Sequence, residues 1–167
     1  MFIIPTPLGD LDAAFDERGR LARLMFVPPA TATEGRLDNA QAAMARLLAQ
    51  EIKAYFAGKL REFSVPLALC GTDFQRRVWG ALTRIPYGST TTYGQIAEGL
   101  GDSKLSRAVG RANGANPVFI LIPCHRVIGA NGALTGYAGG LERKAGLLEL
   151  EGRRPNAQLR KPHQCLF

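Results

Sequence analysis

Thr92-Tyr93-Gly94-Gln95-Ile96-Ala97 and, after Gly101-Asp102, Ser103-Lys104-Leu105-Ser106-Arg107-Ala108-Val109-Gly110-Arg111 form the stretch on which the fold turns. Thr92 with Gln95 three residues on has the form of a capping box, which satisfies two of the amides left open at a helix start. Ile96, Ala97 and Leu100 give this short helix its apolar side. Gly101-Asp102 supplies a tight turn, Ser103 can cap, and another helix is expected from Lys104 towards Gly114. Two short helices about a glycine turn make a helix-turn-helix pattern. On the second helix Leu105, Ala108, Val109 and Ala112 can face inward, while Lys104, Arg107 and Arg111 share one outward face. The small Ala108 between them lets that helix lie close to a groove.

Charge points the same way. The chain has 167 residues and a net charge of +7, with 46% hydrophobic residues, enough to bury a core. Residues 1–69 hold 8 Lys/Arg and 8 Asp/Glu, whereas residues 70–167 hold 13 and 6, so the second part carries the whole excess. A polyanionic partner, nucleic acid above all, fits this asymmetry. No apolar run approaches membrane-spanning length, and Met1-Phe2-Ile3-Ile4-Pro5 lacks the build of a signal peptide. Cys70, Cys124 and Cys165 are odd in number and far apart, which suggests neither disulfides nor zinc but a reducing, cytosolic setting.

Upstream, Phe2-Ile3-Ile4, Leu11–Phe15 and Leu21–Val27 read as strands, with turns at Leu8-Gly9-Asp10 and Asp16-Glu17-Arg18-Gly19. Pro28-Pro29 ends the third, and a polar loop runs to Leu37. From Asp38, Ala40, Ala43, Met44, Leu47, Leu48, Ile52, Tyr55 and Phe56 recur at helical spacing until Gly58, and no catalytic cluster shows there. Ser64-Val65-Pro66-Leu67 reads as a linker. Thr72-Asp73-Phe74-Gln75 is another capping box, opening a helix that stops before Pro86.

Downstream, Val118-Phe119-Ile120-Leu121-Ile122 reads as a buried strand that delivers Pro123-Cys124-His125-Arg126 to a fixed place. A thiol beside an imidazole is a candidate activated nucleophile. In an extended strand, neighbouring side chains point to opposite faces. Either the backbone turns at Pro123-Cys124, or a water joins sulfur and ring. Thr135-Gly136-Tyr137-Ala138-Gly139-Gly140 is a glycine-rich loop able to approach a flat ligand, with no phosphate or dinucleotide fingerprint. A last helix is expected from Leu141 to about Glu151, followed by a basic tail.

Pro123-Cys124-His125-Arg126-Val127-Ile128 resembles the active-site signature of the O6-alkylguanine-DNA alkyltransferases, or methylated-DNA–protein-cysteine methyltransferases. Phe74–Trp79, Ile85–Gly88, Thr92-Tyr93, Ser106–Gly110, Asn116-Pro117, Gly136–Leu141 and Leu150–Gly152 also match in the family's order, densely from 72 to 152. The resemblance implies an α+β fold. A small N-terminal ribonuclease-H-like α/β domain (1–69) precedes a mostly helical domain (70–152) with the helix-turn-helix and the cysteine, and then the tail 153–167. It implies Cys124 as alkyl acceptor, His125 as base working through a bridging water, and Glu151 as the carboxylate that orients the histidine. Arg107 resembles the arginine that holds the space of a displaced guanine. Tyr93 resembles the tyrosine that turns the nucleotide and donates to the purine, and Asn116 the hinge asparagine. Lys104, Ser106, Ala108 and Arg111 complete the expected DNA face. Tyr137, Ala138, Gly139, Gly140 and Val127 line the expected pocket.

The implied partner is double-stranded DNA carrying O6-alkylguanine, met in the minor groove by a cytoplasmic, bacterial-type monomer, with clustering along DNA left open. No cofactor is implied. Zinc held in the N-terminal domain by some members is not expected, since residues 1–69 contain neither Cys nor His. A thioether has no carbonyl for water to attack, so the cysteine is expected to be consumed once. A helix-turn-helix regulator would leave the Cys-His-Glu set unexplained. A non-catalytic alkylated-DNA-binding protein would lack the acceptor. A thiol hydrolase would leave the basic face unexplained.

Overall fold

The first residues of the long N-terminal helix show why it begins where it does. Asp38 accepts from the Gln41 amide at 2.8 Å while the Gln41 side chain accepts from the Asp38 amide, and α1 (Asn39–Phe56) follows. Leu48, Ile52 and Tyr55 of its buried stripe belong to the same core as the sheet β1 (Phe2–Ile4), β2 (Leu11–Phe15) and β3 (Leu21–Phe26). These strands form an antiparallel meander in the order β1-β2-β3. Gly19, at φ +74°, makes the β2–β3 turn, where Asp16 accepts from the amides of Arg18 and Arg20. The structure, a computed structural model, describes residues 2–28 and 36–152. Residues 29–35 of the expected loop and the tail 153–167, with His163 and Cys165, lie outside the described residues.

Both capping boxes of the second part form. Thr72 and Gln75 open α2 (Asp73–Leu82), and Thr92 and Gln95 open α3 (Tyr93–Gly99). The helix-turn-helix is completed by α4 (Ser106–Gly114). Asp102, not Ser103, caps the turn between them, accepting from the Lys104 amide at 2.9 Å. Lys104 consequently sits on a 3-10 turn, Ser103–Leu105, and not on the helix itself. A carboxylate two residues before an open amide can close an Asx-type turn, and here it wins over the serine. Trp79 anchors α2 to α4 by donating its indole N–H to the Ala112 carbonyl at 2.9 Å. α5 (Leu141–Leu150) is the last element among the described residues. A two-residue parallel ladder joins β4 (Thr91–Thr92) to β5 (Val127–Ile128). Among the described residues no helix is long and apolar enough to cross a membrane.

The expected strand 118–122 does not form. Only Val118 makes a bridge, to Leu24 of β3, with Phe119 N–H donating to the Leu24 carbonyl at 2.8 Å. The chain then folds back on itself: Ile120 takes φ +71°, and Ile122 N–H reaches the Val118 carbonyl at 3.1 Å. Asn116 draws the ends together, accepting from Val118 N–H and donating to the Ile122 carbonyl. The run is apolar because Val118, Phe119, Ile120 and Ile122 are buried, and a short apolar run carries no periodicity that separates strand from coil. β3 thus braces the backbone that leads to Cys124.

Candidate active site

Cys124 stands at the start of a second 3-10 turn, Cys124–Arg126, with Pro123 (φ −80°, ψ 60°) setting the bend. The backbone therefore turns at Pro123-Cys124. Asn116 lies just beyond the last turn of α4, and its Nδ2 donates to Cys124 Sγ at 3.0 Å. The same amide holds Ile122, so the end of the helix-turn-helix and the sulfur share one side chain. The thiol is 2% exposed. Burial pushes its pKa up to about 11, against the pull of Asn116 and Lys144, so the resting sulfur carries its proton.

His125 is wholly buried. Its Nε2 lies 3.0 Å from Glu151 Oε1, while Nδ1 has no hydrogen-bond partner among the described residues. An ionised carboxylate can only accept, so Nε2 carries the hydrogen and Nδ1 keeps its lone pair. Burial lowers the pKa of the ring, with the Glu151 hydrogen bond opposing, and it rests neutral at physiological pH.

Glu151 is the hub. It follows the last residue of α5, where the helix dipole disfavours a negative charge. Donors from three other segments offset that cost. Tyr55 on α1 donates to Oε1 at 2.7 Å, and Gly88 N–H to Oε2 at 3.2 Å. Arg126 donates from Nε and Nη2, both at 2.9 Å, and fixes itself with a further bond to the Ile85 carbonyl at 2.6 Å. Burial alone would raise the Glu151 pKa. The hydrogen bonds from His125 and Arg126, with that from Tyr55, outweigh it and hold the carboxyl well below its usual range.

The glycine-rich loop packs through Tyr137 on Phe119, in the segment that leads to Cys124. Tyr137 is 8% exposed, stacks 5.2 Å from Phe119, and has a hydroxyl with no hydrogen-bond partner among the described residues. Gly139 is buried, Ala138 and Gly140 are exposed, and Val127 is buried on β5. Tyr93, half-buried, donates to the Thr135 carbonyl at 3.2 Å, and burial raises its pKa so that it stays a donor. Its ring faces Gly110 of α4, so it stands between recognition helix and loop. Lys104, Arg107 and Arg111 are exposed, with Ser106 and Ala108 half-buried beside them.

Three site residues went unassigned from sequence. Tyr55 is a polar-tipped aromatic on the buried stripe of α1. Arg126 stands inside the signature hexapeptide. Lys144, fully buried, donates Nζ to the Val127 carbonyl and, at 2.6 Å, to that of Thr135. Burial lowers its pKa to about 8, and Cys124 pulls it back up. Its spacing from Leu141 and Leu148 puts it in phase with the apolar side of α5, which is the one signal available.

Comparison with known proteins decides the family. The 6-O-methylguanine DNA methyltransferase ribonuclease-like domain matches residues 3–69, and the DNA binding domain of the same name matches residues 73–153. A Methanosarcina acetivorans methylated-DNA–protein-cysteine methyltransferase is 49% identical over 153 residues, covering 90% of this chain and 96% of that protein. This chain belongs to the methylated-DNA–protein-cysteine methyltransferase family. A Mycobacterium tuberculosis methyltransferase of that name is 61% identical over 109 residues, 65% of this chain and 66% of its own length. The crystal structure of Mycobacterium tuberculosis OGT in complex with DNA superposes with a TM-score of 0.79 at 46% identity, covering 92% of this chain and 94% of the other. Within the methyltransferase frame, Tyr55 belongs to the ribonuclease-like part and the other hub residues to the DNA-binding part.

Proposed function

We propose that this chain is a DNA-repair methyltransferase that turns O6-alkylguanine, mainly O6-methylguanine, out of the duplex and moves the alkyl group to its own Cys124. The observation that carries the mechanism is the buried Nδ1 of His125, left as a free lone pair by the Nε2–Glu151 bond. A water relays the Cys124 proton to that nitrogen, and the resulting imidazolium sits against the Glu151 carboxylate. As the proton leaves, sulfur bonds to the alkyl carbon, the carbon–O6 bond breaks, and its electron pair passes into the purine. Tyr93 gives a proton to the purine, so guanine departs as a neutral base, and the proton taken up by His125 passes back through water to restore the phenol. Lys144 steadies the negative charge that gathers on sulfur while the proton is in transit.

Flipping is required because the alkylated oxygen lies within the base stack, beyond reach of a buried thiol. Arg107 fills the vacated space, and Lys104, Ser106, Ala108 and Arg111 meet backbone and shape in the minor groove. Domain limits of 1–69 and 70–152, a monomeric state on DNA and a cytoplasmic setting belong to the same reading.

Because a thioether cannot be hydrolysed, the reaction ends after one event. With lesion-bearing duplex in excess, repaired sites should plateau at one per protein molecule, and continued turnover would overturn the reading. Arg107→Ala should slow repair of duplex DNA while sparing transfer from a free O6-alkylguanine base. Equal slowing of both would remove Arg107 from the flipping step.

A further inference from the structure

The pocket loop has an outer anchor that the alkyl-transfer reading does not use. Arg143, half-buried on the first turn of α5, donates Nη1 to the Gly139 carbonyl at 3.1 Å and Nε to the Leu8 carbonyl at 2.9 Å. Its guanidinium lies 4.8 Å from the centre of the Phe26 ring. One side chain therefore joins the pocket loop to the β1–β2 loop and to β3. The seat is made for it. A Cβ on Gly9 (φ +111°) would stand 3.0 Å from Arg143 Nη2, and Thr6 closes the same loop by donating to the Gly9 carbonyl at 2.6 Å. One turn along α5, Gly146 gives way to Leu8, which a Cβ there would meet at 2.7 Å.

The anchor also bears on the pocket wall. A Cβ on Gly139 would come within 2.5 Å of Tyr137 Cε1 and within 3.2 Å of both Phe119 and Phe26. Gly139 thus has no slack beside Tyr137, whose ring packs 5.2 Å from Phe119 in the segment that leads to Cys124. The inner margin of the loop is held separately, by Tyr93 and Lys144 at the Thr135 carbonyl.

We infer that Arg143 is a positioning residue through which the N-terminal domain fixes the Gly139–Tyr137 wall of the alkyl pocket, and so sets how large an alkyl group the site accepts. The inference rests on the alkyl-transfer reading above. With the strap intact the wall fits a small group, and without it the wall yields. A methyl group then loses its fixed approach to sulfur, while a bulky group gains room.

The test compares wild-type protein with Arg143→Ala on matched duplexes carrying O6-methylguanine or O6-benzylguanine. Single-turnover rate constants are read alongside end-point stoichiometry, so that partly unfolded protein alters amplitude and not rate. In the variant, methyl transfer should slow roughly tenfold, well inside what a 1 Å misplacement costs, and benzyl transfer should slow less, raising the benzyl-to-methyl ratio. Arg143→Lys, which can reach one carbonyl but lacks the planar fork, should recover part of the methyl rate. Phe26→Leu, which keeps the strap but removes the ring beneath it, should shift the ratio the same way by less. If Arg143→Ala does not fold, these two variants carry the test. An unchanged ratio in the variants, with wild type active, overturns the inference alone. Wild type inactive on both duplexes overturns the reading beneath it as well.

Discussion

Two parts of the site are built on opposite plans. Around Glu151, donors from α1, the Pro86–Gly88 turn and the Cys124–Arg126 turn converge on one buried carboxylate. In the pocket loop, residues 135–140 hold three glycines and a buried Tyr137 hydroxyl without a partner among the described residues. The hub holds His125 in one tautomer before any DNA arrives, so the ring needs no reorganisation when a substrate binds. The loop keeps a buried hydroxyl uncommitted among the described residues, as a wall that must take up an incoming base requires. The difference separates the task of fixing a proton path from that of admitting a bulky substrate.

The comparison can be broken most severely at the hub. Glu151→Gln keeps shape but leaves Arg126 buried without its counter-charge and lets His125 choose either tautomer. Transfer should fall ~100-fold or more, within the usual range for a lost acid-base contribution, with a loss of about 3 kcal/mol in urea unfolding. Activity near wild type would mean that the carboxylate does not hold the base. On the loop side, Gly139→Ala forces the Tyr137 ring to move. Methyl transfer should slow roughly tenfold, on the scale of a small misplacement, with bulkier groups affected more and stability little changed. A loss confined to stability would make the loop ordinary packing.

A finer cut is Tyr55→Phe, which deletes one donor and leaves the ring in place. It should cost about 1 kcal/mol and slow transfer only a few-fold, since Arg126 and Gly88 still hold Glu151. No change in either would show that α1 merely fills space. The mildest probe is pH. Burial lowers His125, so below about 6.5 the unfolded chain binds a proton that the native ring refuses, and Glu151, held low by its donors, acts in the same sense further down. The His125 contribution is thus complete above about 6.5 and is lost as pH drops through the range below it. Urea midpoints that stayed flat from neutrality to mild acid would contradict a buried, neutral His125.

What could be read from sequence follows a physical line. Local chemistry was legible: Thr72 with Gln75, Thr92 with Gln95 and Asp38 onward open helices by bonds within four residues. The helix-turn-helix followed from these. Segment 118–122 reads as a strand because it is a short apolar run, and a uniformly apolar run hides its own geometry. Its fold-back depends on the Asn116 amide and on β3, neither of which lies in the run. Tyr55 and Glu151 stand 96 residues apart, so their bond left no spacing to detect. Lys144 was partly visible as a charge on an apolar stripe. At Pro123-Cys124 the turn forms, and Nδ1 of His125 remains the place for a relay.

The central claim is that Cys124 itself receives the alkyl group. Protein mixed with a duplex containing O6-methylguanine should, after digestion, carry one added methyl group on the peptide holding Cys124, with the lesion converted to guanine in equal amount. Cys124→Ser protein should bind the same duplex and leave both unchanged. An unmodified Cys124 peptide beside repaired DNA, or a methyl group found on Cys70 instead, would contradict the account.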